Sequence, residues 1–146
     1  VSRSSFEREI AENGKLIYTN IGDSMMPLIR QGKDLVVIVK KHGRLKKYDV
    51  PLYRRDNGQY VLHRVLEVRK NDYVICGDNR WKKEYGITDR HIIGVLSGVI
   101  RSGKNISVNN RWYRLYVHLW CDLFPLRAFA LKVISKLKRE LKKIKK

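Results

Sequence analysis

Between Lys15 and Val108 the apolar residues come in short runs separated by turn formers: KLIYTNI, DLVVIVK, DVPLYRR, QYVLHRVLEV, DYVIC and HIIGVLSGVI. These runs are rich in Val, Ile and Tyr, side chains that suit a pleated, half-buried surface, and each predicts a strand. Arg55-Asp56-Asn57-Gly58 lies between two of them, and Asn-Gly is a strong short-range hairpin signal. Lys70-Asn71-Asp72 marks a second turn. Ahead of the runs, Ser4 with Glu7 reads as a capping box and Asn13-Gly14 as a stop, which predicts a short helix over residues 5–13. Behind them the period changes. Leu119, Leu123, Leu126, Ala130, Ile134, Leu137, Leu141 and Ile144 recur near helical spacing among lysines and arginines, and Pro125 divides this stretch in two. The pattern predicts a mainly β chain: a short helix over 1–14, a curled antiparallel sheet over 15–110, and a basic amphipathic helical segment over 111–146.

Composition adds one large fact. The 146 residues, 43% hydrophobic, make one domain, but 32 Lys and Arg against 14 Asp and Glu give a net charge of +18. Half of that excess lies in residues 111–146, which hold eleven basic and two acidic side chains. Such a field favours an anionic partner, a membrane surface or nucleic acid. Crossing a bilayer is disfavoured. The most apolar window, Leu115 to Ile134, carries Asp122, Arg127 and Lys132, each costing about 2.5–3.5 kcal/mol near the bilayer centre against about 0.3–0.6 gained per large apolar residue. Trp112, Trp120, Phe124 and Phe129 suit the plane of an anionic interface, whereas docking on the protein's own sheet would leave only a solvated lysine tail. Cys76 and Cys121 have neither disulfide nor metal-ligand spacing and read as buried small hydrophobes. The first residues, VSRSSFEREIAENG, contain no apolar signal or anchor segment.

Candidate chemistry begins at IGDSMMP, residues 21–27. A serine hydroxyl is a poor nucleophile until a base within hydrogen-bond reach takes its proton. Of the four histidines, His42 sits among cations in KKHGRLKK, His91 borders a strand and His118 lies in the C-terminal apolar stretch. His63 is embedded in YVLHRVLEV, a run apolar enough to be buried, where a polar ring needs a partner.

IGDSMMP, a GKDL turn, KKYDV, VLHRVLEV, CGDNRWKKEYG and IIGVL follow one another in an order that resembles the type I signal peptidase and LexA-like serine peptidase superfamily over residues 17–100. The resemblance implies that the fold is a curled antiparallel sheet of that kind, with Ser24 as nucleophile and His63 as general base. Histidine at the base position is similar to the endoplasmic-reticulum and sporulation-type enzymes; others of the superfamily carry a lysine there. It further implies an acidic residue after the GDN turn that orients the imidazole. Spacing matches Glu84, with Asp78 of the turn itself as rival. Where signal peptidases often carry a serine two positions before the nucleophile, this chain has Gly22. The oxyanion region then rests on backbone N–H groups around Gly22, Asp23 and Met25.

The expected activity is a serine endopeptidase acting on a peptide or leader precursor, without metal or cofactor. With no N-terminal anchor in the sequence, it is expected in the cytoplasm, peripheral at the inner membrane face through residues 111–146. Two alternatives belong to other classes. A LexA-like self-cleaving regulator lacks room for a DNA-binding domain in residues 1–15 and has no Ala-Gly or Cys-Gly site there. A non-catalytic basic module would bind anionic lipid or nucleic acid and make no use of the Ser24 and His63 pair.

Overall fold

A computed structural model describes the backbone of residues 3–144 and side chains from Ser5 to Ile144. Helix α1 (Arg3–Asn13) ends where Gly14 takes a positive φ of 68° and its N–H closes onto the Ile10 carbonyl. The side chain of Ser4, the expected cap, lies outside the described side chains.

The strands are β1 (Lys15–Thr19), β2 (Leu35–Val39), β3 (Pro51–Arg54), β4 (Tyr60–Leu62), β5 (Arg64–Val68), β6 (Tyr73–Cys76), β7 (Glu84–Ile87), β8 (Ile92–Arg101) and β9 (Lys104–Ser107). All pairings are antiparallel. The larger sheet runs β1-β2-β8-β3-β4, with β9 also on β8, and the smaller runs β5-β6-β7. Register shifts within the β2–β8, β3–β8, β5–β6 and β6–β7 pairs bend both sheets. The Asn57-Gly58 turn joins β3 to β4 as its sequence predicts, with Gly58 at φ 91°. The turn at Lys70-Asn71-Asp72 likewise joins β5 to β6.

The pattern missed two strands, β7 and β9. Both are short, polar and largely exposed, so neither leaves an apolar signature. It also joined two strands that the fold separates. QYVLHRVLEV is broken at His63, because β4 belongs to the larger sheet and β5 to the smaller. An uninterrupted apolar run does not record a change of sheet.

Alternation along β3 and β4 distributes their side chains between two cores. Leu52 and Leu62 are paired and face one with Ile10, Met25, Ile29, Val36 and Ile38. Tyr53 and Val61 are paired and face the other with Leu45, Val65, Tyr73, Ile75 and Ile87. Each such side chain contributes about 1.5–3 kcal/mol when fully buried. Met25 and Ile29, both fully buried, pin the loop carrying Ser24 to the first core. The second core carries Tyr53 beneath His63.

The C-terminal segment forms α2 (Arg111–Asp122) and α3 (Phe124–Ile144). The Asn110 side chain caps α2 by accepting from the amides of Trp112 and Tyr113. Tyr113, Val117 and Cys121, four residues apart, are its buried stripe. Pro125 stands in the first turn of α3, where its missing N–H costs no helical bond. Arg127 is the buried residue of α3; most of the helix beyond it is exposed. No described helix is long and apolar enough to cross a membrane.

Candidate active site

Ser24 and His63 lie 39 positions apart in sequence and line one cavity of about 350 Å³. Its walls come from the loop Asn20–Ser24, from Arg55 and Gln59, from β4, and from Arg80. The Gly77-Asp78-Asn79 turn fixes how the two sides meet. The Asn79 amide donates to the Ser24 carbonyl at 2.8 Å, and the Asn79 side chain to the Asp23 carbonyl at 3.1 Å. Arg80 donates to the Asp23 carboxylate at 2.6 Å. That bond and the Arg80 charge hold the Asp23 pKa below its usual range. A Cβ on Gly77 would stand 2.6 Å from the Ser24 carbonyl oxygen and 3.1 Å from His63 Cδ2. The absent side chain is what lets the serine loop and the imidazole approach one another.

Gly22 sits at φ 125°, a backbone region that side chains disfavour, and thereby shapes the loop before Ser24. Among the described residues the Ser24 and Met25 amides donate to no backbone carbonyl. The Ser24 hydroxyl itself makes no hydrogen bond among these residues, to His63 or to any other group.

His63 stands between β4 and β5, partly buried. Its Nδ1 is 3.4 Å from the Tyr53 hydroxyl, a long contact, and that hydroxyl donates to Glu84. With the phenol proton given to Glu84, the tyrosine oxygen accepts from His63 Nδ1–H, which leaves the Nε2 lone pair free. Arg55 holds Glu84 through Nε at 2.6 Å and Nη2 at 3.2 Å. The chain of contacts is Arg55, Glu84, Tyr53, His63. Burial lowers the His63 pKa to about 4, the Glu84 charge acting against that shift. Near pH 7 the ring is therefore neutral and able to accept a proton. Burial acts to raise the Glu84 pKa, but hydrogen bonds from Arg55 and Tyr53 outweigh it and hold the carboxyl below its usual range. Burial and then Glu84 push the Tyr53 phenol up, so it remains a donor.

Asp78 is occupied elsewhere. It is fully buried, and Arg64, also fully buried, donates to its two oxygens at 2.8 Å each. The Tyr116 hydroxyl adds a bond to the same carboxylate at 3.0 Å, and Trp120 Nε1 donates to the Asp78 carbonyl at 2.8 Å. The remaining guanidinium nitrogen donates to the Tyr48 carbonyl and the Tyr113 hydroxyl. Arg64 follows His63 directly, and Asp78 follows Gly77. The ion pair thus clamps the strand that follows His63 to the turn that holds the Ser24 loop, and α2 covers the clamp.

The fold brings Ser24, His63 and Gly22, Asp23 and Met25 to one region, with Glu84 one hydroxyl removed from the imidazole. It keeps Asp78 behind the site, on Arg64. Sequence reasoning passed over Tyr53, Arg55, Gly77 and Arg80. Only Gly77, the first residue of the GDN turn, and Arg80, directly after it, had a signal. The other histidines are accounted for: His42 is exposed, His91 is buried against Thr88 and Asp56, and His118 is half-exposed beside Tyr48 and Asp122. Burial raises both thiol pKa values, that of Cys121 to about 11, which disfavours either cysteine as a nucleophile. No group of three or more His, Cys, Asp or Glu among the described residues could hold a metal ion.

Comparison with family models, curated proteins and solved structures found no match.

Proposed function

We propose that this protein is a serine endopeptidase resembling the type I signal peptidase and LexA-like superfamily, with Ser24 as nucleophile and His63 as its general base. The observation that carries the reading is a partly buried, neutral imidazole sharing a cavity with an unengaged serine hydroxyl, with its Nδ1 turned to Tyr53, which in turn bonds Glu84. In a free enzyme the serine-to-base hydrogen bond is often long and tightens on substrate. His63 Nε2 takes the Ser24 proton as Oγ attacks the scissile carbonyl carbon. The developing oxyanion is met by backbone N–H groups beside Ser24, Gly22 offering no side-chain donor. The imidazolium then protonates the leaving amine, and the C–N bond breaks to an acyl-enzyme. Water, deprotonated by the same nitrogen, attacks the ester and releases Ser24.

Tyr53 is a positioning residue in this scheme. It passes the influence of Glu84 to an imidazole that the carboxylate does not touch, fixing the tautomer and favouring the transient positive charge. Arg55 keeps that carboxylate ionised. The substrate is an extended peptide or a precursor segment that fits a cleft lined by Asn20, Gln59, Arg55 and Arg80.

A fluorophosphonate probe tests the assignment. It should label the wild-type protein covalently and fail on Ser24→Ala and His63→Ala. Equal labelling of all three would refute it.

A further inference from the structure

The two C-terminal helices have different fates, and the difference points to a second surface. Helix α2 spends its apolar stripe on the body of the protein. Helix α3 does not. It is tied down at its start by Arg127, which lies against the rings of Trp120 and Phe124 and donates to the Arg80 carbonyl at 3.3 Å. Beside and beyond that tie, Leu126, Phe129, Val133, Leu137, Leu141 and Ile144 are 39 to 80% exposed. At about 100° per residue they form one stripe about 120° wide along the helix.

The cations of α3 border this stripe. Lys132, Lys136 and Lys143 follow one edge, Lys138 and Lys142 the other, and the helix carries seven basic residues against one acidic. The stripe continues onto α2 through a groove of about 420 Å³ lined by Leu119, Leu123, Leu126, Ala130 and Ile134. We propose that α3 docks on an anionic lipid surface, its apolar stripe among the acyl chains and its bordering lysines at the headgroups. A second copy is a poor occupant, because pairing would bring two strongly cationic helices together. Nucleic acid would use the lysines and leave the leucine stripe in water.

Docking has a consequence for the cleft, which rests on the peptidase reading. Ile134 and Lys138 of α3 stand with Asn79, Arg80 and Trp81 around a cavity of about 460 Å³, and Arg80 also walls the Ser24 cavity. The α3 flank and the cleft share that wall. A docked helix therefore holds the cleft at the lipid surface, where it meets chain segments lying among the headgroups.

Co-sedimentation of the full chain with vesicles tests the docking. With equal parts phosphatidylglycerol and phosphatidylcholine the wild type should sediment, and with phosphatidylcholine alone it should stay in the supernatant. A triple variant, L126E/L137E/L141E, changes only exposed side chains and should bind at least about tenfold more weakly. K132Q/K136Q/K143Q should weaken binding to anionic vesicles as well. Ser24→Ala should bind as the wild type does, so failure of the peptidase assignment leaves the docking standing. Equal binding by L126E/L137E/L141E, or equal binding to neutral and anionic vesicles, would overturn the proposal. So would a lipid-free dimer that this variant dissolves, or duplex DNA held more tightly than anionic vesicles.

Discussion

Asp78→Asn tests whether this carboxylate holds the fold or belongs to the proposed chemistry. The substitution keeps the shape of the side chain and removes its charge, leaving the Arg64 guanidinium fully buried without a counter-ion. Breaking a buried pair from one side costs about 3–5 kcal/mol, because the remaining charge is desolvated and unpaired. Typical domain stability is about 5–15 kcal/mol, so this loss is a large share of it. At roughly 2–4 °C per kcal/mol for a chain of this size, the midpoint should fall by about 6–20 °C. The Tyr116 hydroxyl loses a charged acceptor too, which loosens α2. Urea unfolding followed by far-ultraviolet circular dichroism measures the change. A cycle with Arg64→Met isolates the pair, although that variant also orphans the Tyr48 carbonyl and the Tyr113 hydroxyl. If Asp78→Asn unfolds at the wild-type urea concentration yet abolishes probe labelling, Asp78 belongs to the chemistry and the clamp reading is wrong.

Gly77→Ala should destabilise the protein and slow probe labelling together, since the new Cβ meets the Ser24 carbonyl at 2.6 Å and backbone cannot swing aside; wild-type labelling would contradict this. Tyr53→Phe should reduce turnover about fivefold with little change in KM, in line with about 1 kcal/mol for one hydrogen bond, and unchanged turnover would remove Tyr53 from the relay. Glu84→Gln should cost more, because it removes the charge that favours the imidazolium; a loss no greater than that of Tyr53→Phe would count against this role. His63 also carries a pH signature. Its folded pKa of about 4 lies below the unfolded value of 6.5, so the unfolded chain takes up a proton first as the pH falls. Its contribution is fully present above pH 6.5 and is lost by pH 4, amounting to about 3 kcal/mol. His63→Gln should lack that part of the stability curve, and identical curves would show an imidazole that titrates normally.

Residue types and spacing made much of the architecture legible. Val, Ile and Tyr runs with Asn57-Gly58 predicted the β3–β4 hairpin, and helical periodicity broken at Pro125 predicted α2 and α3. Their limits are physical too. Asp78 and Glu84 are six residues apart, and spacing alone could not say which carboxylate lies on the imidazole's side. Arg64 decides the matter by occupying Asp78. Tyr53 gave no sign of its position, because the reach of its hydroxyl to His63 depends on sheet pairing and on the break after Leu62.

By itself, then, the sequence determined the class of fold, the order of its elements, the concentration of positive charge at the C-terminal end, and the two residues, Ser24 and His63, worth pairing. These are local properties, set by side-chain shape, backbone preference and charge. Only the tertiary structure decided that His63 sits between two sheets, that Tyr53 stands between it and Glu84, and that one helix of the tail is docked while the next is bare. Such properties depend on contacts between residues far apart in sequence, which are fixed only when the chain has packed.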